Sequence, residues 1–259
     1  MKKVVVITGA SSGIGNVCAN YLFEKGYKVY GLNRTPIISE KINYIKCDVA
    51  DESQVKYALQ SIEEDIYAVI NNAGIGISGA IEHTSSEDVD RIIAVNIKGV
   101  INVCKYAIPR LRKTKGKIIN IGSVAGELTI PFQTFYSLSK VAISTYTEGL
   151  RMELKPFGIK ATTVLPGDTK SAFSSNRKKT EVVDELYGDR IQKSIARMEK
   201  DEQKGKDPLS VAKVIYKLLR RKNPPVKVTV GFTYKMFVFL KRIFPSKFVN
   251  YILYKMYGE

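Results

Sequence analysis

Apolar and polar positions alternate along the chain in blocks of two kinds. VVVIT (Val4 to Thr8), KVYGLN, INYIKCDV, YAVINNAG, KIINIGS and IKATTVLPG are short apolar runs of strand length. Between them lie longer stretches with helical spacing. NVCANYLFEKG ends at Gly26, where a helix stops. ESQVKYALQSIEE is a second helix. SSEDVDRIIAVNIKGVINVCKYAIPRLRK is a long third one, opened by serines and acids that suit a helix N-terminus. Strands separated by helices of this length predict an α/β fold: a doubly wound parallel sheet in three layers.

Two segments break the rhythm. Residues 170–207 are polar, charged and helix-prone, with no strand signal. Two readings stand for them, a lid over the carboxyl end of the sheet or a solvated helical pair at its edge. Residues 232–259 are rich in aromatics and lysines. Phe248, Val249, Ile252, Leu253 and Met256 form a helical stripe, and Pro245 divides two helical pieces. This tail suits an anionic membrane surface, a flap over an apolar substrate, or a contact with its own domain or another subunit.

Composition narrows the class. A length of 259 residues with 44% apolar content is expected to form one domain, 1–259. No run approaches the ~18 apolar residues that span a bilayer, and no secretory leader is recognisable. Cys18, Cys47 and Cys104 are odd in number and form no CxxC, so neither a disulfide framework nor a metal site is expected, and a cytoplasmic setting fits. The net charge of +16 is compatible with nucleic acid, membrane or an anionic ligand. Its scattered cations carry no nucleic-acid motif, so no nucleic-acid partner is expected. The lone His83 lacks partners for a metal site and is expected in a solvated loop.

Candidate chemistry sits at the carboxyl ends of the strands. TGASSGIG follows the first strand and opens the first helix. Its residues Gly9, Ser11, Ser12, Gly13, Ile14 and Gly15 make a candidate phosphate cradle of tight turn, close backbone approach and positive helix end. Asn33 and Arg34 end the second strand where an acid would select NAD; an arginine there pairs with a 2′-phosphate, which favours NADP(H). Asp48, with Val49 beside it, is placed for an adenine amino group. Asn72, Ala73 and Gly74 bring backbone close to a ribose.

FYSLSK sets Tyr136 and Lys140 one helical turn apart, after Ser123 at the end of a strand. A nearby ammonium and a positive nicotinamide ring favour the phenolate and lower the tyrosine pKa. Tyr136 then exchanges a proton with a carbonyl or alcohol oxygen that Ser123 holds, while Lys140 also reaches the nicotinamide ribose.

TGASSGIG, NNAG, Asn96 in AVNIKG, Ser123, YSLSK and the PG of LPGDTKS resemble, in order and spacing, the short-chain dehydrogenase/reductase family, closely over residues 4–171 and loosely beyond. The resemblance implies a Rossmann-type sheet of about seven strands and hydride transfer with a nicotinamide cofactor. It also implies that Asn96 holds a water in a proton relay with Lys140, and that Pro166, Gly167 and Thr169 flank the nicotinamide. Ser171 stands where the family more often has threonine. A homodimer or homotetramer, built through the helices holding Asn96 and Tyr136, is implied too.

Few acids and many apolar residues surround the expected pocket: Leu128, Ile130, Pro131, Phe132 and Phe173, with Gln133 and Phe135 nearby. A bulky apolar ketone or secondary alcohol is the expected substrate, steroid-like or lipid. An acyl-ketone or phosphate-bearing lipid is the alternative, as the lid segment is basic. A non-catalytic dinucleotide sensor is the rival class.

Overall fold

The computed structural model describes residues 2–35, 37–171, 173–180 and 184–259. Seven parallel strands form one sheet in the order β3-β2-β1-β4-β6-β7-β9: β1 Val4–Thr8, β2 Lys28–Asn33, β3 Asn43–Lys46, β4 Ile66–Asn71, β6 Lys117–Ile121, β7 Lys160–Leu165 and β9 Lys227–Thr229. The order reverses between β1 and β4. Loops after those strands splay apart at the carboxyl edge and leave the crevice where open α/β sheets bind ligands.

Helices cover both faces. α2 (Glu52–Gln60), α4 (Gly99–Thr114) and α5 (Thr134–Glu153) bury one side through Val55, Val103, Leu111 and Ile143. α1 (Gly13–Glu24) and α7 (Leu209–Arg220) bury the other through Leu22, Val211, Ile215 and Leu219. The central strands β1, β4 and β6 are buried on both faces, so they read as continuous apolar runs. Lys117 opens β6 yet is buried. Its ammonium donates to the carbonyls of Leu218, Leu219 and Arg221 at 3.0, 2.6 and 2.7 Å, which closes the C-terminal end of α7.

The long third helix is continuous but not uniform. α3 (Ser86–Ile93) passes through a π-turn, Ala94–Lys98, into α4. The stretch Ser86–Thr114 is long and apolar enough to cross a membrane by length and composition, contrary to the expectation that no run would be. Here it packs on α2 and β4 as a core layer instead. All three cysteines are free and buried.

Beyond β7 the chain builds a cover over the sheet's carboxyl edge. Residues 172 and 181–183 of the expected lid lie outside the described residues. The lid holds a strand that its sequence did not signal: β8 (Lys178–Lys179) pairs with β5 (Ile77–Ser78) as a small parallel sheet. A charged segment becomes a strand here because β5 offers it an edge; propensity is overridden by pairing. α6 (Arg190–Gln203) follows, and its Arg197, Met198, Asp201 and Glu202 line the cavity at this edge. His83 lies in a turn, as expected, but is half-buried and paired rather than freely solvated. Its Nε2 lies 2.8 Å from Asp184 Oδ2, and the Tyr187 hydroxyl donates to Glu82 at 2.6 Å, so the pair clasps the lid's base. Phe132 packs under the lid against Tyr187, ring centres 5.8 Å apart.

The tail folds back on its own domain as two helices, α8 (Phe232–Ile243) and α9 (Ser246–Tyr257), divided at Pro245. Tyr234 donates to Asp168 at 2.6 Å and Tyr257 to Asp201 at 3.0 Å; Arg190 donates to the Gly258 carbonyl at 2.8 Å.

Candidate active site

The glycine loop is shaped for close approach. Gly9 (φ +64°) and Gly13 (φ +52°) adopt left-handed backbone that favours glycine. A Cβ on Gly15 would lie 2.2 Å from the Gly9 carbonyl oxygen, so no side chain fits where α1 meets the loop. Ser12 precedes α1 and makes no side-chain cap bond. First-turn N–H groups therefore remain for an anion at the positive end of the helix. Ser11, Ser12 and Ile14 line the same cavity. Asn72 holds the loop in place. Its amide donates to the Thr8 and Gly9 carbonyls at 3.1 Å each, while Thr8 Oγ1 accepts the Asn72 and Ala73 N–H groups at 3.0 Å.

At the end of β2, Asn33 is buried, and both its amide atoms lack a hydrogen-bond partner among the described residues. A buried amide left this way is costly unless a ligand completes it. Arg34 beside it is exposed, on the wall of the same cavity, and no described acid pairs with it. Asp48 Oδ1 caps the Ala50 N–H at 2.9 Å, and Asp48 and Val49 line the wall beyond. Pro166 accepts the Val124 N–H at 2.9 Å. Gly167, Thr169 and Ser171 continue the wall, and Thr169 Oγ1 donates to the Gly167 carbonyl at 2.9 Å. An orphaned amide, a glycine cradle and an open helix end fit a dinucleotide.

Ser123, Tyr136, Lys140 and Asn96 converge at the cavity's centre. Ser123 ends the segment after β6, where its Oγ accepts the Ala125 N–H at 3.1 Å. Lys140 is buried, its ammonium donating to the Ile121 carbonyl at 3.0 Å and lying 5.5 Å from the Tyr136 ring centre. Burial pushes its pKa down to about 8. Tyr136 departs from expectation. Burial pushes its phenol up to about 12, against opposition from the Ser123 side chain, which hydrogen-bonds it, and from the Arg177 charge; Glu202 adds to the rise. In the protein alone, desolvation outweighs the Ser123 hydrogen bond and the Arg177 charge, and the phenol is held protonated.

The π-turn carries Asn96. Its Oδ1 accepts the Ile75 N–H at 2.8 Å, and its Nδ2 donates to the Ile75 carbonyl and to Ser139 Oγ, both at 3.0 Å. The amide thus fixes the loop after β4 against α5. Gly74 sits between Asn96 and Lys140: a Cβ there would lie 3.2 Å from Asn96 Oδ1 and 3.5 Å from Lys140 Nζ.

The cavity, about 1200 Å³, continues past Tyr136 under the lid and tail. Leu128, Ile130, Gln133 and Phe173 line it; Pro131, Phe132 and Phe135 do not. The tail's inner face supplies Phe237 and Leu240 from α8, Phe244 just after it, and the whole stripe Phe248, Val249, Ile252, Leu253 and Met256 from α9. Acids are not sparse here, as the composition near the motifs suggested. Asp168, Asp201 and Glu202 reach the wall, two of them from α6, far from the motifs in sequence. Glu202 pairs with the buried Arg177, and burial raises the Asp168 pKa. Among the described residues, no cluster of metal-binding side chains occurs.

Known proteins agree with this geometry. Residues 3–182 match the family described as short chain dehydrogenase. A 3-ketodihydrosphingosine reductase of Bacteroides thetaiotaomicron is 39% identical over 99% of this chain and 98% of its own length. The structure of ElxO with NADP bound superposes with a TM-score of 0.76 at 28% identity, over 91% of this chain and all of that one. A short chain dehydrogenase/reductase from Burkholderia phymatum in complex with NAD shares the fold (TM-score 0.81, 20% identity, 93% of each chain). The fold, the glycine cradle and these likenesses lead to one assignment: the chain belongs to the short-chain dehydrogenases/reductases, oxidoreductases that bind a nicotinamide dinucleotide.

Proposed function

We propose that this enzyme reduces a long-chain keto lipid, such as 3-ketodihydrosphingosine, to its alcohol with NADPH. The observation that carries this reading is the apolar wall running from Tyr136 to α9. The stripe from Phe248 to Met256 extends about 12 Å along the helix, a length that suits an alkyl chain better than a compact substrate. The Bacteroides relative's name supports the same substrate class. The preference for NADPH rests on Arg34 and on the lack of an acid at the end of β2.

A nicotinamide held in this site would supply the hydride that reduces the carbonyl carbon. Tyr136 donates its phenolic proton to the carbonyl oxygen, which Ser123 holds by a hydrogen bond. A phenol held near 12 is protonated at neutral pH, as a reduction requires. The Lys140 ammonium offsets the charge that develops on Tyr136 as the proton leaves, and Asn96 keeps the Gly74 loop in register beside it. Lys140 and the Pro166–Thr169 segment would hold the nicotinamide end, and Ser171 lies beside Gly13 at the cradle.

The test is a substrate panel. Purified enzyme with NADPH is expected to turn over 3-ketodihydrosphingosine well ahead of steroid ketones, and to use NADH poorly. Faster turnover of the steroids would contradict the lipid assignment.

A further inference from the structure

α8 and α9 have two faces with different neighbours. The inner one lines the cavity. The outer one carries Phe232, Met236, Phe239 and Ile243, spaced i, i+4, i+7 and i+11, so they lie along one side of α8. These side chains are 80%, 43%, 60% and 61% exposed, and none of them lines the cavity. Tyr251 and Tyr254 of α9 are also exposed and off the cavity wall. A run of large apolar side chains in water is unfavourable and marks a surface that something covers.

Charge indicates what covers it. Lys235, Lys241, Arg242, Lys247 and Lys255 are all exposed, and no Asp or Glu occurs from Phe232 to Gly258. Lys235, Arg242 and Lys247 pair with no described acid. Aromatics and aliphatics flanked by unpaired cations, with tyrosines beside them, match the interface of an anionic bilayer in both chemistry and polarity. A second copy of this chain would set cation against cation if the two faces met, which costs association energy. The same hairpin walls the cavity, so a surface-bound enzyme would hold its apolar cavity beside the hydrocarbon. We infer that the α8–α9 hairpin docks the enzyme on an anionic lipid surface, with Phe232, Met236, Phe239 and Ile243 buried in the interface. The inference stands on the outer face alone and does not depend on the substrate.

The experiment is co-sedimentation of the full chain with vesicles, phosphatidylglycerol mixed with phosphatidylcholine against phosphatidylcholine alone. Binding to the anionic vesicles is expected, weakening as salt rises. Phe239→Glu with Ile243→Glu is expected to lower partitioning about tenfold or more while NADPH binding is kept. A second variant, Lys235→Glu with Lys247→Glu, leaves the apolar row intact and is expected to weaken binding to anionic vesicles by a similar factor. Absence of binding to the anionic vesicles overturns the inference. So does a parent that sediments as an oligomer which either variant converts to monomer without loss of vesicle binding.

Discussion

The Tyr136 ring packs against Phe173 of the lid, with ring centres 5.4 Å apart and planes tilted by 52°. The contact joins α5, which carries Tyr136, to the segment that covers it. Gly76 leaves room for the lid ring, since a Cβ there would lie 2.9 Å from Phe173 Cζ. Removing the ring in Phe173→Ala lets water reach the phenol and loosens its position. A fall in kcat/KM of about tenfold or more is expected, with NADPH affinity unchanged. Steady-state kinetics beside a fluorescence titration of cofactor checks both halves.

Tyr136→Phe removes the hydroxyl and keeps the ring on Phe173. The expected loss of turnover is roughly 10²–10⁴-fold, the range for a positioned general acid. Cofactor binding and thermal midpoint should stay near those of the parent. Substantial activity in this variant would remove Tyr136 from the mechanism.

Burial ties the charge of Lys140 to stability. Its pKa falls from 10.5 to about 8 on folding because its ammonium is buried. Below pH 8 the folded protein carries that buried cation and bears its desolvation cost. Between pH 8 and 10.5 the folded state has released the proton and the unfolded chain has not, so this group's contribution rises with pH. A shift of this size corresponds to about 3 kcal/mol. Lys140→Met should therefore stabilise the cofactor-free protein at pH 7, by somewhat less than that because the bond to Ile121 is lost. The gain should shrink as pH approaches 10. Lys117 titrates in the same window, so the measurement is the difference between variant and parent in urea unfolding at several pH values.

Arg34 is exposed beside an Asn33 whose amide has no described partner. Arg34→Asp replaces a cation suited to a 2′-phosphate with an anion that repels it. The ratio of kcat/KM for NADPH over NADH should fall roughly 10–100-fold. An unchanged ratio would take Arg34 out of cofactor selection.

Much of the site was legible because its residues lie in local motifs. The glycine loop, the NNAG turn and the Tyr136–Lys140 spacing each follow a strand, and the strand order brings all three to one edge. What was hidden depends on distant pairing. β8 forms only because β5 lies beside it, and Glu202 reaches the cavity only because α6 folds along its edge. His83 gains its partner from Asp184, about a hundred residues on. The phenol's upward shift was missed for a different reason. Charge can be read from a list of neighbours, whereas desolvation needs the packed environment, and here it is the larger effect. The stripe on α9 was visible as periodicity, but that it faces the enzyme's own cavity is a fact of the tertiary fold.

The central claim is that the tail's inner wall reads an alkyl chain, and the most direct measurement is kcat/KM with NADPH across a series of 3-keto lipids of increasing chain length. Each methylene buried against α9 is worth about 0.8 kcal/mol, so a rise of roughly fourfold per added carbon is predicted until the cavity is filled. A flat profile across the series would contradict the account.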